Sequence, residues 1–293
     1  MKLLVTGASG LLGTRICQLA SKQNCSVYSA YSQHVPRFGK PTKLDITDGM
    51  EVKRVFEKLQ PDAVVHSAAL SDVDKCEKEK ELAWKVNTDA TSDIAERCHA
   101  HDCFLVYVST DYVFSGEKGN YKEADPMHPV NYYGLTKLEG EQRVIGSNAE
   151  HCITRTSVIY GADAAAGKTN FALWLIDKLK KKEEVKTAID LWNSPTLNTS
   201  LAEMILEIVE RRLTGTFHLA GATRLSRFQF AQNIAETFDL DKRCLRATSS
   251  NQMEWLAERP RDTSLDVGKA RQVLRKKPLQ IGEALSRFKI EMS

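Results

Sequence analysis

The chain has 293 residues, of which 27% are charged, and its formal net charge is only +3. Its richest basic run, Lys180 to Lys182, is followed at once by two glutamates, which excludes a nucleic-acid-binding surface. No apolar run approaches the ~20 residues that cross a bilayer, so we expect no membrane partner. The seven cysteines show no C-x-x-C spacing, which predicts free thiols, no metal site and a cytoplasmic location.

Short β-rich runs alternate with helical patterns in the first 160 residues. The first apolar run stops at Gly7 and is too short for a signal peptide. Continuous apolar strands are typical of a parallel sheet covered on both faces, and the β-α-β-α order predicts a doubly wound α/β fold. The predicted strands are 2–6, 26–31, 42–44, 62–67, 104–109 and 152–159, and the predicted helices are 11–22, 47–59, 78–100 and one opening at 133.

After residue 160 this alternation weakens. We expect residues 161–293 to form a smaller mixed α/β lobe that is interleaved with the first domain, to which parts of 185–220 return. The predicted strands here are 185–189 and 215–219, and the predicted helices are 170–182, 201–213, 226–238, 266–274 and 281–288.

A glycine-rich turn, T-G-A-S-G-L-L-G, follows the first strand and opens the first helix. Gly7, Gly10 and Gly13 permit a tight turn and let the backbone approach a pyrophosphate, whose charge the helix N-terminus attracts. The strand-turn-helix context makes this a strong indication of a dinucleotide site. Residues 1–160 are therefore predicted to form a Rossmann-type domain, with the glycine spacing of short-chain dehydrogenases.

The second strand ends without the carboxylate that would bind a ribose 2′-hydroxyl. Ser32, His34 and Arg37 follow it and could instead meet a 2′-phosphate, which favours NADP (NADPH) over NAD (NADH). The alternative, that Arg37 is only a charged loop residue without a role in cofactor binding, fits the sequence nearly as well.

Two further segments are candidates to contact the dinucleotide. Asp45 and Ile46 follow the third strand, where an acid and an apolar side chain could hold the adenine, although Asp45 is equally suited to cap the next helix, as are Thr47 and Asp48. Ala68 and Ala69 follow the fourth strand, and their small side chains would let the backbone pack against the cofactor.

Tyr133 and Lys137 are four residues apart and share one face of the predicted helix. We expect the ammonium to lower the pKa of the phenol, which could then donate a proton to a carbonyl oxygen as a hydride reaches the carbon. Ser109 and Thr110, at the end of the fifth strand, each offer a hydroxyl for the substrate oxygen. Together with the glycine turn, these residues predict a nicotinamide-dependent oxidoreductase, the alternative being a surface helix pair.

The chain resembles the extended short-chain dehydrogenase/reductases, and among them the dTDP-4-dehydrorhamnose reductases. Residues 109–114, S-T-D-Y-V-F, look like that branch's motif, and residues 129–141 are similar to its P-x-N-x-Y-G-x-T-K-x-x-G-E. Residues 73–77, V-D-K-C-E, are similar to its V-D-x-x-E, and the likeness covers nearly the whole chain. The resemblance implies NADPH- or NADH-dependent reduction of a nucleotide-linked 4-keto sugar, with a product such as dTDP-L-rhamnose.

The same resemblance implies roles for individual residues. Thr110, rather than Ser109, is the implied catalytic hydroxyl, Tyr133 the proton donor and Lys137 its partner. Thr110 and Asp111 are implied to contact the substrate. The implied cofactor contacts are Gly10, Leu11, Leu12, Asp45, Ile46, Ala69, Leu70 and Ser71.

Two positions depart from the pattern of that branch. Val158 stands where these reductases often carry a tryptophan that touches the substrate, and Leu70 stands where a histidine is frequent. We therefore expect Val158 to contact the substrate, but the resemblance does not name the sugar.

Two other functions fit parts of the pattern. The regulatory β subunit of methionine adenosyltransferase resembles the same branch, keeps cofactor binding and acts by contacting an enzyme, and Tyr133 and Lys137 do not separate it from a reductase. An epimerase or dehydratase fits less well, because Asp111 is followed by Tyr112 and the acidic pair usual in dehydratases is missing. The sequence does not fix the oligomeric state, and a homodimer is one option.

Overall fold

The computed structural model describes residues 1–23, 25–163 and 169–293. The strands of this part of the chain are β1 (Lys2–Thr6), β2 (Ser26–Tyr31), β3 (Lys40–Lys43), β4 (Ala63–His66), β5 (Phe104–Thr110), β6 (His151–Thr156), β7 (Ile159–Tyr160), β8 (Val185–Ala188), β9 (Trp192–Asn193), β10 (Thr196–Leu197), β11 (Gly215–His218), β12 (Leu225–Ser226) and β13 (Leu245–Thr248). The α-helices are α1 (Leu11–Ala20), α2 (Gly49–Leu59), α3 (Val73–Lys78), α4 (Lys80–Trp84), α5 (Ala90–Ala100), α6 (Tyr132–Gly146), α7 (Phe171–Lys180), α8 (Asn198–Arg211), α9 (Arg227–Thr237), α10 (Gly268–Val273) and α11 (Ile281–Met292).

Seven parallel strands form the central sheet, in the order β11-β6-β5-β4-β1-β2-β3. The chain runs outward from β1 through β2 and β3, and then crosses to β4 on the other side of β1. This reversal of direction opens a crevice between the ends of β1 and β4, where such sheets bind their ligands. The predicted Rossmann-type doubly wound fold is confirmed.

The central sheet is covered on both faces, which explains its continuous apolar strands. In β1, Leu3 and Val5 belong to the core shared with α1 and α8, whereas Leu4 belongs to the core shared with α2 and α5. Successive side chains of a strand point to opposite faces, so each residue of this run has its own layer of helices to pack against. All three side chains are fully buried.

The C-terminal lobe has a separate core between α7, α9 and α11. The Tyr160 ring lies 5.1 Å from the Phe230 ring and 5.4 Å from the Phe288 ring, measured between centroids. Strand β11 returns to the central sheet and pairs with β6, whereas β8 pairs with β13 outside it. None of the helices in the described residues is long and apolar enough to cross a membrane.

The prediction of a single helix over residues 78–100 is wrong, because the structure divides this region into several helical segments. Asp72 caps an earlier start by accepting a hydrogen bond from the Lys75 backbone N–H at 3.0 Å. The helix then breaks at Glu79 and passes through a π-helical turn, Lys85–Asp89, before α5 begins. The spacing of apolar residues does not predict this break, because the Asp72 cap and the side-chain contacts of the π turn determine where the helical segments begin and end.

The predicted strand over 152–159 is also interrupted. Strand β6 ends at Thr156, and Val158 has a φ of +38°. A β-branched residue is strained in this left-handed region, so the turn is held by its surroundings. The Val158 carbonyl accepts a hydrogen bond from the Thr196 N–H at 3.1 Å, at the point where β7 pairs with β10.

Candidate active site

A cleft of about 750 Å³ opens at the carboxyl ends of the central strands and reaches into the C-terminal lobe. It is lined by every residue predicted for the site from the glycine turn, the ends of the strands and the Tyr133 helix, except Leu70 and the two basic residues His34 and Arg37. The structure therefore brings the dinucleotide candidates and the proton-transfer candidates together in one space.

The glycine turn has the close packing that a pyrophosphate cradle requires. Gly7 has a φ of +67°, and a Cβ there would lie 2.8 Å from the Ala68 backbone nitrogen. A Cβ on Gly13 would lie 2.2 Å from the Gly7 carbonyl oxygen. Gly10 precedes α1 without a side-chain cap, so the N–H groups at the helix start remain available to an anion. These residues fit a dinucleotide.

The structure does not place Arg37 against the cleft. Its guanidinium lies 5.8 Å from the centre of the neighbouring Phe38 ring. Lys43, which the sequence reading missed, instead donates a hydrogen bond to the Ser32 carbonyl and lies 5.5 Å from the centre of the Tyr31 ring. Tyr31 and Ser32 both line the cleft, and Lys43, which does not line it, lies at its edge beside Ser32.

Asp45 does not cap α2, because Asp48 does so by accepting from the Met50 and Glu51 backbone N–H groups at 2.9 and 3.2 Å. The Asp45 carboxylate accepts from the backbone N–H and the hydroxyl of Thr47, at 2.9 and 2.8 Å. The hydrogen bond from the Thr47 backbone is the largest cause of the lowered pKa of Asp45. The carboxylate is thus ionised and fixed beside Ile46 at the cleft wall.

Leu70 does not line the cleft, since its backbone is turned toward the π-helical turn. The Asn87 side chain accepts from the Leu70 N–H at 2.8 Å and donates to the Leu70 carbonyl at 3.1 Å. It also donates to the Thr136 hydroxyl at 3.0 Å. Asn87 therefore ties the loop after β4 to the helix that carries Tyr133 and Lys137, and π turns are frequent at functional sites.

Tyr133 and Thr110 meet inside the cleft. The Tyr133 phenol lies beside the Thr110 hydroxyl, and its ring packs edge-on against Tyr112 at 5.9 Å. Burial raises the pKa of Tyr133 above its ordinary value, and the Thr110 hydroxyl lowers it by less. The expected depression of this pKa by Lys137 is therefore not found, and the phenol is protonated at neutral pH.

The buried carboxylate of Asp111 fixes the orientation of Thr110. It accepts from the hydroxyls of Thr110, Ser157 and Thr263 at 3.0, 2.7 and 2.6 Å. Burial raises the pKa of Asp111, while these hydroxyls act in the opposite direction. The three hydroxyls come from both lobes, so this cluster couples the end of β5 to the C-terminal lobe.

The Lys137 ammonium lies on the sheet side of the cleft. It donates to the Val108 carbonyl at 2.8 Å and lies 4.0 Å from the centre of the Tyr107 ring. Burial lowers the pKa of Lys137 to about 7, and the nearby Glu141 carboxylate counteracts part of this shift. A small change of surroundings can therefore switch this group between its neutral and charged forms near neutral pH.

Ser109 has a different partner from Thr110. It donates to Glu141, a fully buried carboxylate that also binds the Arg155 guanidinium through Nε at 3.0 Å and Nη2 at 2.7 Å. Burial of this ion pair requires that its oxygens be hydrogen-bonded. The Ser109 hydroxyl therefore stabilises the buried Glu141–Arg155 ion pair.

Some cleft residues come from distant parts of the chain and were not predicted from the sequence. Phe171 and Arg227 open α7 and α9 in the C-terminal lobe, and both line the cleft. The hydroxyl of Thr156 also lines it and has no hydrogen-bond partner among the described residues. A helix start was predicted near Ser226, but sequence alone gave no sign that this helix points at the site.

The model of the family described as the RmlD substrate binding domain matches residues 1–292. The chain belongs to this family. A dTDP-4-dehydrorhamnose reductase from Bacillus anthracis, solved in complex with NADP, is 30% identical and superposes with a TM-score of 0.90 over 99% of both chains. The RmlD-family fold thus extends over the whole chain.

Two relatives of this RmlD-family chain differ in their described roles. A probable low-salt glycan biosynthesis reductase from Haloferax volcanii is 33% identical over 270 residues, which cover 91% of this chain and 90% of that protein. The methionine adenosyltransferase 2 subunit beta of Bos taurus is 30% identical over 273 residues, which cover 90% of this chain and 80% of the subunit. Both resemblances drawn from the sequence are confirmed.

Proposed function

We propose that this chain reduces the keto group at C4 of a nucleotide-linked sugar with NADPH or NADH. The substrate proposed is dTDP-4-dehydro-L-rhamnose, and the product is dTDP-L-rhamnose. One observation carries the proposal: Thr110, Tyr133 and Lys137 share a cleft with a glycine turn that fits a dinucleotide. Membership of the RmlD family supports it.

The residues of the cleft divide between binding and proton transfer. The glycine turn binds the pyrophosphate of the dinucleotide and Ser32 its adenosine ribose, and the nicotinamide would supply the hydride when the dinucleotide is bound. Tyr133, protonated at neutral pH, donates its phenolic proton to the substrate oxygen, and the Thr110 hydroxyl lies beside the phenol to orient that oxygen. The carbonyl carbon gains the hydride and the oxygen gains the proton, so a hydroxyl group forms.

Proton loss leaves a phenolate at Tyr133, and Lys137 can stabilise it. A charged ammonium favours a nearby phenolate, which recovers its proton from solvent. The pKa of Lys137, lowered to about 7 by burial, means that the group is partly neutral in this cleft at neutral pH. An anion in the cleft raises this pKa and brings Lys137 to its charged form.

The regulatory alternative is a cofactor-binding subunit that acts by contacting an enzyme. Its support is the relation to the methionine adenosyltransferase β subunit. The assembled proton-transfer group favours turnover, because a purely regulatory chain has no need of a desolvated phenol aimed at the dinucleotide cleft. An epimerase or dehydratase remains less favoured, since Asp111 is committed to three hydroxyls.

The test is oxidation of NADPH and of NADH by the purified chain with dTDP-4-dehydro-L-rhamnose, followed by NMR of the product sugar. We expect stoichiometric oxidation and a single deoxy-sugar product. A chain that binds the dinucleotide but turns over no dTDP-, UDP- or GDP-linked keto sugar would refute the reductase. Conversion of a dTDP-hexose into a 4-keto-6-deoxy sugar, or into its epimer, with no net oxidation of the dinucleotide would indicate a dehydratase or an epimerase instead.

A further inference from the structure

Arg227 extends from the C-terminal lobe into the cleft, and its backbone is fixed on both sides. Ser226 and Gln229 form a reciprocal capping box at 3.1 Å, which anchors the first turn of α9. The Arg227 N–H donates to the Leu191 carbonyl at 3.0 Å. Its half-buried side chain lines the cleft and lies near Tyr112, on whose phenol its charge acts.

The charge of Arg227 is not neutralised by an ion pair with any carboxylate of the described residues. The acid on which its charge acts, Asp111, is already hydrogen-bonded to three hydroxyls. The guanidinium lies 5.6 Å from the centre of the Phe171 ring, which favours a fixed orientation of its plane. The side chain is therefore ordered while donors of its guanidinium remain available.

The two substrates of the proposed reaction each carry phosphates. The glycine turn and the start of α1 serve the dinucleotide, and they lie at the end of β1. Of the described residues that line the cleft, only Lys137 and Arg227 have cationic side chains. Lys137 is engaged with Val108 and Tyr107 beside Tyr133, which leaves Arg227 for a second phosphate group.

We propose that Arg227 binds the diphosphate of the nucleotide-linked sugar and so selects a nucleotide-linked sugar over a free one. A planar guanidinium matches a diphosphate through two parallel hydrogen bonds, and Arg227 reaches the cleft from the start of α9, a different element from the one that carries the glycine turn. This inference rests on the proposed function, because it assigns the diphosphate of that substrate class.

The test compares a nucleoside diphosphate with its nucleoside. Isothermal titration of the NADP-loaded chain with dTDP and with thymidine measures the contribution of the phosphates alone. For Arg227→Gln we expect the Kd of dTDP to rise roughly 10- to 100-fold, the range of a charge-assisted hydrogen bond, while the Kd values of thymidine and NADP stay unchanged. Arg227→Lys keeps the charge and should recover part of the dTDP affinity.

Arg243 provides the matched control. It is a surface arginine, paired with Asp241 outside the cleft, so Arg243→Gln removes the same charge without affecting dTDP. An Arg227→Gln chain with wild-type dTDP affinity would overturn the assignment, as would an equal loss of NADP or thymidine binding. Wild-type protein that binds no nucleoside diphosphate would refute the substrate class as well, so the two failures are distinguishable.

Discussion

The phenol of Tyr133 lies beside the hydroxyl of Thr110 in the cleft. Ser109, one residue earlier on β5, donates to the buried carboxylate of Glu141 instead. Neighbouring side chains of a strand point to opposite sides, so the two hydroxyls cannot share one role. The geometry favours Thr110 as the hydroxyl of the proton-transfer group and Ser109 as a support of the Glu141–Arg155 pair.

Removal of each hydroxyl separates these two roles. We expect Thr110→Val to lower kcat by about 100-fold, the scale for one hydrogen-bond donor in an active site, with unchanged affinity for NADP. Ser109→Ala should leave kcat nearly intact but lower the free energy of unfolding by about 1–3 kcal/mol, because a buried carboxylate loses a partner. Steady-state kinetics and denaturant melts measure both. An equal loss of kcat in the two variants would contradict the assignment.

The pH profile reports on Lys137. The reduction needs the phenol of Tyr133 and the ammonium of Lys137 in their protonated forms, and burial lowers the pKa of Lys137 to about 7 while it raises that of Tyr133. As pH rises, Lys137 loses its proton first. We expect kcat/KM for the sugar to fall about tenfold per pH unit above the pKa of Lys137 in the dinucleotide complex.

Lys137→Arg tests the source of that decline. Arginine stays charged at all relevant pH values, so in a folded Lys137→Arg chain the falling limb should move to higher pH. A wild-type profile that stays flat up to pH 9, or a limb that does not move in this variant, would show that another group controls the rate.

The glycine turn can be tested with one added methyl group. Gly13→Ala places a Cβ 2.2 Å from the Gly7 carbonyl oxygen, so we expect it to destabilise the chain by about 1–3 kcal/mol and to weaken NADP binding. Gly146→Ala is the matched control, since a Cβ there meets nothing within 4 Å at the end of α6. It should be neutral or stabilising, by up to about 1 kcal/mol. Thermal melts with and without NADP compare the two variants. Equal melting temperatures and equal stabilisation by NADP would contradict the role of this turn in binding the dinucleotide.

Cofactor choice depends on the cation beside Ser32. Lys43 is held there by the Ser32 carbonyl, whereas Arg37 lies on Phe38. We expect Lys43→Ala to raise the Kd of NADP roughly tenfold through loss of a charge-assisted contact with the 2′-phosphate, and to leave the Kd of NAD unchanged. Arg37→Ala is the control, with little effect on either. A selective loss of NADP affinity in Arg37→Ala alone would restore the interpretation drawn from the sequence.

The fold could be predicted from local patterns because the inner strands β1, β4 and β5 are mostly apolar and buried on both faces. The run Leu3 to Val5 is buried on both sides, and a glycine turn follows it. The breaks at Glu79 and Val158 could not be predicted in this way. Tertiary contacts of Asn87 accompany the π turn after the first break, and pairing of β7 with β10 accompanies the second.

The residues of the candidate site also include some that could be predicted from the sequence and some that could not. Residues that follow strands or share a helix face, such as Thr110 and Tyr133, could be predicted, because the ends of parallel strands meet at one edge. Arg227 and Lys43 could not, since their positions depend on the docking of the C-terminal lobe and on the register of β3 against β2. The predicted direction of the pKa shift of Tyr133 was also wrong, because burial raises this pKa and Thr110, rather than Lys137, is the group that acts against it.

The most direct measurement is the rate of NADPH oxidation by Tyr133→Phe against wild type, with dTDP-4-dehydro-L-rhamnose under single-turnover conditions. The variant keeps the ring but has no proton to donate, so we expect its rate to fall by roughly 10²–10⁴-fold while its Kd for NADPH stays unchanged. A Tyr133→Phe chain that reduces the sugar at the wild-type rate would contradict the account.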